Sequence, residues 1–161
     1  MIGQEQLVRF FERNLGILRQ QTAGLSHEQS LLQPPFRGNC MNWVLGHLAE
    51  NRNGILKTLG QAPIMTELEA KRYGYGSEPV ICEGEGVLKL DDLLARLERA
   101  QGMIATGLRA ITPEALAVEV QFAGRTMTVA GRIFFEYFHE TYHVGQLELL
   151  RQLAGTNDKV I

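Results

Sequence analysis

Two imidazoles stand four residues apart, at His139 and His143, in a stretch whose apolar spacing predicts one helix from Thr128 to Ala154. Residues four apart share one helix face, one turn from each other. Such a pair can chelate one divalent cation. A third imidazole, His47, falls in an earlier predicted helix from Asn39 to Leu59. If that helix packs alongside, the three complete a facial ligand set. The chain has only four histidines, so three within helices is a concentrated signal. Three neutral imidazoles leave a coordination position for water or substrate, the open pattern of catalytic zinc sites.

Residues 139–143 read His-Glu-Thr-Tyr-His, a literal match to the zinc-protease motif H-E-x-x-H. That chemistry needs a third ligand downstream. Only 18 residues follow His143; none is a histidine, and Glu148 turns away on the helix. The third ligand must come from upstream, and His47 is the candidate. The alternative is that the histidines are structural, each satisfied by its own hydrogen bond. Phe135, Phe138, Tyr142, Leu147 and Leu150 make the last helix strongly apolar and place the pair near the core. There, three converging imidazoles share a metal more readily than they find three separate partners.

Helix geometry nominates neighbours. Glu136 lies three residues before His139 and Gln146 three after His143, so either can orient an imidazole or bound water. Glu140 is a candidate base, with a surface salt bridge as the competing role, and Glu136 is the second catalytic candidate. Arg132, two turns before His139, suits a carboxylate or phosphate, or else pairs with Glu136. Trp43, Asn51, Tyr142 and Gln146 are further substrate-binding candidates, with Trp43 and Tyr142 as pocket walls. Cys40, two turns before His47, is expected to be a buried inert thiol, and His27 a solvated side chain in a turn.

The elements that must position these residues follow from periodicity. A first helix is predicted over Gln4 to Gln21, with Leu7, Phe10, Phe11, Leu15 and Leu18 on one face. Ser26 and Gln29 form a capping-box signature opening a short turn, and Pro34-Pro35 ends it. Asn39 is the expected cap of the second helix. A long connection follows, Gly-rich from Tyr73 to Gly86, with a helical turn over Glu67 to Arg72. The third helix carries Leu90, Leu93, Leu94, Leu97, Met103, Ile104 and Leu108, with Asp91 or Asp92 as cap. Thr112-Pro113-Glu114 opens a short turn. Alternation around Ala123-Gly124, between Leu116 and Val129, predicts a small hairpin. Thr128 caps the last helix, and the tail from Gly155 is expected to be loose.

The sum is an all-α chain: a four-helix bundle with long crossover connections, in one domain spanning 1–161. Hydrophobic content of 45% and charged content of 21% fit an ordinary soluble globular protein. A net charge of −2 argues against a nucleic-acid surface. Met1 to Asn14 has no apolar core of a secretory signal, and no apolar run is long enough for a membrane span. Cys40 and Cys82 are expected as free thiols in a reducing cytoplasm.

Asn42-Trp43-Val44-Leu45-Gly46-His47-Leu48, with His139-Glu140-Thr141-Tyr142-His143-Val144-Gly145-Gln146-Leu147 far downstream, resembles the DinB-like (DinB/YfiT) metalloenzyme superfamily. The later segment is the more specific of the two. The resemblance covers nearly the whole chain and implies an up-down-down-up bundle. It also implies a divalent metal on His47, His139 and His143, and a homodimer. Characterised relatives include transferases that use low-molecular-weight thiols, so the resemblance favours transfer of such a thiol to an electrophile, or hydrolysis of a small molecule. The alternative is a non-catalytic metal-binding stress-response bundle. Imidazole ligands favour zinc or nickel, with iron or manganese also compatible. The segment Tyr73 to Gly86 belongs to no transferable motif.

Overall fold

The computed structural model describes residues 3–158. Seven helices and one hairpin follow in the order α1 (Gln4–Thr22), α2 (His27–Ser30), α3 (Met41–Thr58), α4 (Glu67–Tyr73), α5 (Leu90–Ala110), α6 (Pro113–Ala117), β1 (Glu119–Phe122), β2 (Arg125–Thr128) and α7 (Val129–Leu153). The chain is all-α apart from that hairpin. The four long helices surround one core. α1 and α3 each pack against both α5 and α7. α1 meets α5 through Glu5–Arg109 and Arg19–Glu98, and α7 through the Phe10–Tyr137 stack and Asn14–Thr141.

Local chemistry explains most boundaries. Ser26 and Gln29 close a reciprocal capping box on α2, and Thr66 with Glu69 does the same for α4. Thr112 and Thr128 accept from Ala115 and Gly131 to cap α6 and α7. In the hairpin, Phe122 faces Arg125 across Ala123-Gly124, both at positive φ, as a tight two-residue turn requires.

Several expectations are corrected. The cap of α3 is Cys40, since the first helical hydrogen bond runs from Val44 N–H to the Cys40 carbonyl, one residue beyond Asn39. Lys89 rather than Asp91 or Asp92 caps α5. Both aspartates lie in its first turn, where they still complement the positive end of the helix dipole. His27 is not solvated: its Nδ1 accepts from Leu90 N–H, and its side chain is 11% exposed. The tail is tied back through Asp158, which pairs with Arg151 at 3.0 Å. Arg151 also reaches the carbonyls of Gln21 and Ala23.

All of residues 41–49 in α3 are buried, because α4 covers the side that α5 and α7 leave open. The close point is Gly46. A Cβ there would lie 2.1 Å from the ring of Tyr73, the last residue of α4. Tyr73 is fully buried, and it cannot retreat cheaply. Its hydroxyl donates to Asn42 Oδ1 and accepts from Leu88 N–H. Gly46→Ala is therefore expected to cost about 3 kcal/mol, the upper part of the overpacking range. Urea denaturation measures it. A loss under 0.5 kcal/mol would mean that this wedge is not rigid.

Candidate metal centre

His47, on α3, and His139 and His143, on α7, each present a ring nitrogen, and these three atoms lie within 4.8 Å of one another. The Nε2 atoms of His139 and His143 are 3.1 Å apart. Two zinc–nitrogen bonds of the usual length at a tetrahedral angle separate their nitrogens by about 3.3 Å. The spacing suits a shared cation.

The outer nitrogens explain why the rings point inward. His47 Nδ1 lies 2.8 Å from the carbonyl of Tyr73, which can only accept, so His47 carries its proton on Nδ1 and keeps the Nε2 lone pair free. His143 Nδ1 likewise donates to Gln146 Oε1 at 2.8 Å. His139 Nδ1 is buried without a partner among the described residues. Its proton can therefore sit on Nε2 and bridge to His143, the place a cation would take. Burial holds all three imidazoles below their usual pKa, His47 down to about 4. They are neutral near pH 7, as metal ligation requires. The residues present fit a divalent metal, with two of three imidazoles already oriented.

Trp43, one turn before His47, stacks on it at 4.8 Å between ring centroids and 18° between planes. Its indole N–H donates to Ser77 Oγ at 3.0 Å. A cavity of about 410 Å³ opens over the three histidines. Trp43 and Gln146 line it, together with the loop around Phe36 and Arg37 and the segment Tyr75 to Ser77. The Gly-rich connection thus builds the site. It supplies the Tyr73 carbonyl, the Ser77 hydroxyl and one wall. The helical turn expected over Glu67 to Arg72 is α4, fixed by the capping box Thr66–Glu69.

The other nominated residues lie elsewhere. Asn51 is spent on its own helix, donating to the His47 carbonyl. Arg132 does not line the cavity; its guanidinium sits 4.6 Å over the Phe122 ring of the hairpin. Tyr142 meets the His143 ring edge-on at 5.3 Å but is 63% exposed. Phe135 and Phe138 are exposed too. The buried stripe of α7 runs through Ile133, Glu136, Glu140, Val144, Leu147 and Arg151, so apolar residues off that register face outward. Cys40 donates its S–H to the Val80 carbonyl, and burial pushes its pKa up.

Glu140, weighed as a surface ion pair, is instead buried. Both its oxygens are held by Arg52, at 2.8 and 2.9 Å, and Arg52 is fully buried on α3. The third guanidinium nitrogen, Nη1, donates to the Leu97 carbonyl on α5 at 2.7 Å. The sequence reading missed Arg52. Its register was the available signal: although flanked by Glu50, Asn51 and Asn53, Arg52 lies four residues after Leu48 and three before Ile55, on the apolar stripe of α3. Glu136 is buried nearby with no hydrogen bond among the described residues. Its pKa is pushed up to about 7, first by burial and then by Glu50 and Glu140, with Arg132 opposing.

An all-α fold with imidazoles converging from two packed helices defines a helical protein whose histidine cluster could hold a metal ion. The DinB superfamily profile matches residues 11–147, and the chain belongs to that superfamily, which is metal-binding. No curated protein matches the chain. Two solved structures share the fold. A conserved protein from Enterococcus faecalis superposes with a TM-score of 0.74 at 16% identity, covering 97% of this chain and 99% of that one. A DinB-like protein from Bacillus cereus ATCC 10987 gives 0.69 at 18% identity, covering 98% and 97%. Among the described residues, no helix is long and apolar enough to cross a membrane.

Proposed function

We propose that the protein is a divalent-metal-dependent enzyme that transfers a low-molecular-weight thiol to an electrophilic small molecule, with small-molecule hydrolysis as the alternative on the same centre. One observation carries this reading. One ring nitrogen from each of His47, His139 and His143 lies within 4.8 Å of the other two, and all three residues line the cavity. The metal, zinc or nickel by ligand type, would acidify a coordinated thiol or water near neutral pH. The protein supplies the rest. Tyr73 and Gln146 hold two imidazoles in the ligating tautomer, and Trp43 shields the His47 face.

The interhelical pairs support the up-down-down-up order. Glu5–Arg109 and Arg19–Glu98 set α1 against α5, Asn14–Thr141 sets α1 alongside α7, and Arg52–Glu140 sets α3 against α7. Free Cys40 and Cys82 accord with a cytoplasmic setting. The homodimer belongs to the same proposal. The apolar residues of α1 are largely buried, whereas Phe134, Phe138 and Leu149 on α7 are exposed and available to such a contact.

Protein purified without a histidine tag is expected to carry about one divalent metal per chain and to melt lower after chelation. Against a chlorodinitrobenzene and a panel of small thiols, His143→Ala should retain its fold and lose turnover. Metal binding without turnover on any thiol would support the non-catalytic bundle. Turnover unaffected by His143→Ala would overturn the proposal.

A further inference from the structure

The cavity over the histidines carries one formal charge that the proposed chemistry does not use. Among its lining residues, Arg37 alone is permanently charged. It lies in the segment between α2 and α3, exposed, and makes no ion pair or hydrogen bond among the described residues. Of the nearby cations, Arg72 is committed to the carbonyls of Glu78 and Pro79 and Lys89 to Glu83, while Lys71 lines the adjoining pocket beyond Gly76 and Ser77 and not this one. The cavity lining is mostly apolar besides Asn39, Ser77 and Gln146: Trp43 and Leu150 are buried on it, and Phe36, Tyr75 and Leu149 are exposed. Exposed aromatics around a cavity rim are where a ligand recovers apolar contact.

We infer that Arg37 is a specificity-determining residue, and that the molecule whose reactive end lies at the histidines carries a carboxylate, joined by an apolar stretch, that pairs with this guanidinium. The inference rests on the proposed function and narrows its substrate class. A guanidinium matches one carboxylate in two parallel hydrogen bonds. A phosphate dianion would call for a second cation, and the cavity lining holds none. The anion-reading role that sequence spacing gave Arg132 thus falls to a residue outside the long helices.

The test uses the cobalt-loaded full chain and a ruler of ω-mercaptocarboxylates, from mercaptoacetate to 6-mercaptohexanoate, each beside its primary amide. Absorption of the bound cobalt reports thiol entry and gives dissociation constants without any turnover. At the lengths that span from the metal to Arg37, the acid is expected to bind about 10-fold tighter than its amide, the yield of one charge-assisted pair. That preference should shrink as salt rises. Arg37→Gln should erase it while leaving the amides unchanged, and Arg37→Lys should keep part of it. Acid and amide binding alike at every length, or a preference that survives Arg37→Gln, overturns the assignment and leaves the metal reading intact. A chain that takes up no cobalt, or whose cobalt absorption no thiol perturbs, overturns the thiol-transfer reading and this inference with it.

Discussion

Arg52→Met is expected to destabilise the protein by about 3–5 kcal/mol, because it leaves the Glu140 carboxylate buried and unpaired. Arg52 is fully buried and Glu140 nearly so, and the guanidinium spends its donors on two carboxylate oxygens and the Leu97 carbonyl. A buried charge without its partner faces a desolvation cost that no nearby group relieves. Glu140→Leu alone should be comparably harmful, now stranding the arginine. The double change Arg52→Met with Glu140→Leu should recover most of the loss, since an apolar pair of similar volume often matches a buried ion pair. Urea unfolding of the four proteins closes the double-mutant cycle. A single variant within 1 kcal/mol of the parent would mean that water reaches this pair. The bond also sets the rotation of α7 against α3, one residue from His139. Loosened metal binding in Arg52→Met, with folding retained at low temperature, is the matching functional outcome.

The second large effect depends on pH. The folded-state pKa of Glu136 is about 7 against an ordinary value of 4.5, so the native state retains a proton that the unfolded chain releases. Stability from this group is complete below pH 4.5 and is lost as pH rises toward 7, by roughly 3 kcal/mol at most. The groups facing it are Arg132 and Glu140 on its own helix and Glu50 on α3. Glu136→Gln keeps the shape and removes the ionisation. In chelator, at pH 8, the variant should be more stable than the parent by an amount of that order, and the gap should close below pH 4.5. His47, with its pKa lowered to about 4, works in the opposite direction, losing stability as pH falls from 6.5. It is common to both proteins and cancels in the comparison. A gap independent of pH would show that Glu136 titrates normally.

Much of this was legible in the sequence because the signals are local. Amphipathic spacing located the four long helices, and side-chain caps at Ser26, Thr112 and Thr128 marked element starts. Spacing of four paired His139 with His143. What stayed hidden depends on partners distant in the chain. Glu140 looks like a surface residue until Arg52 is placed opposite it, 88 positions away. Tyr73 becomes a ligand-orienting residue only because Gly46 admits its ring. Phe138 and Tyr142 looked like core, since composition cannot say which of several apolar faces of α7 turns inward. Arg37 had no periodic context at all.

The chain contains a single tryptophan, and it is the residue laid flat against His47. Indole fluorescence is quenched and shifted by charge and by paramagnetic ions at van der Waals range. The molecule therefore carries its own optical probe at the centre of interest, with no second emitter of that kind to obscure it. Occupancy, exchange between ions and the arrival of small molecules are open to direct spectroscopic observation on the unlabelled chain.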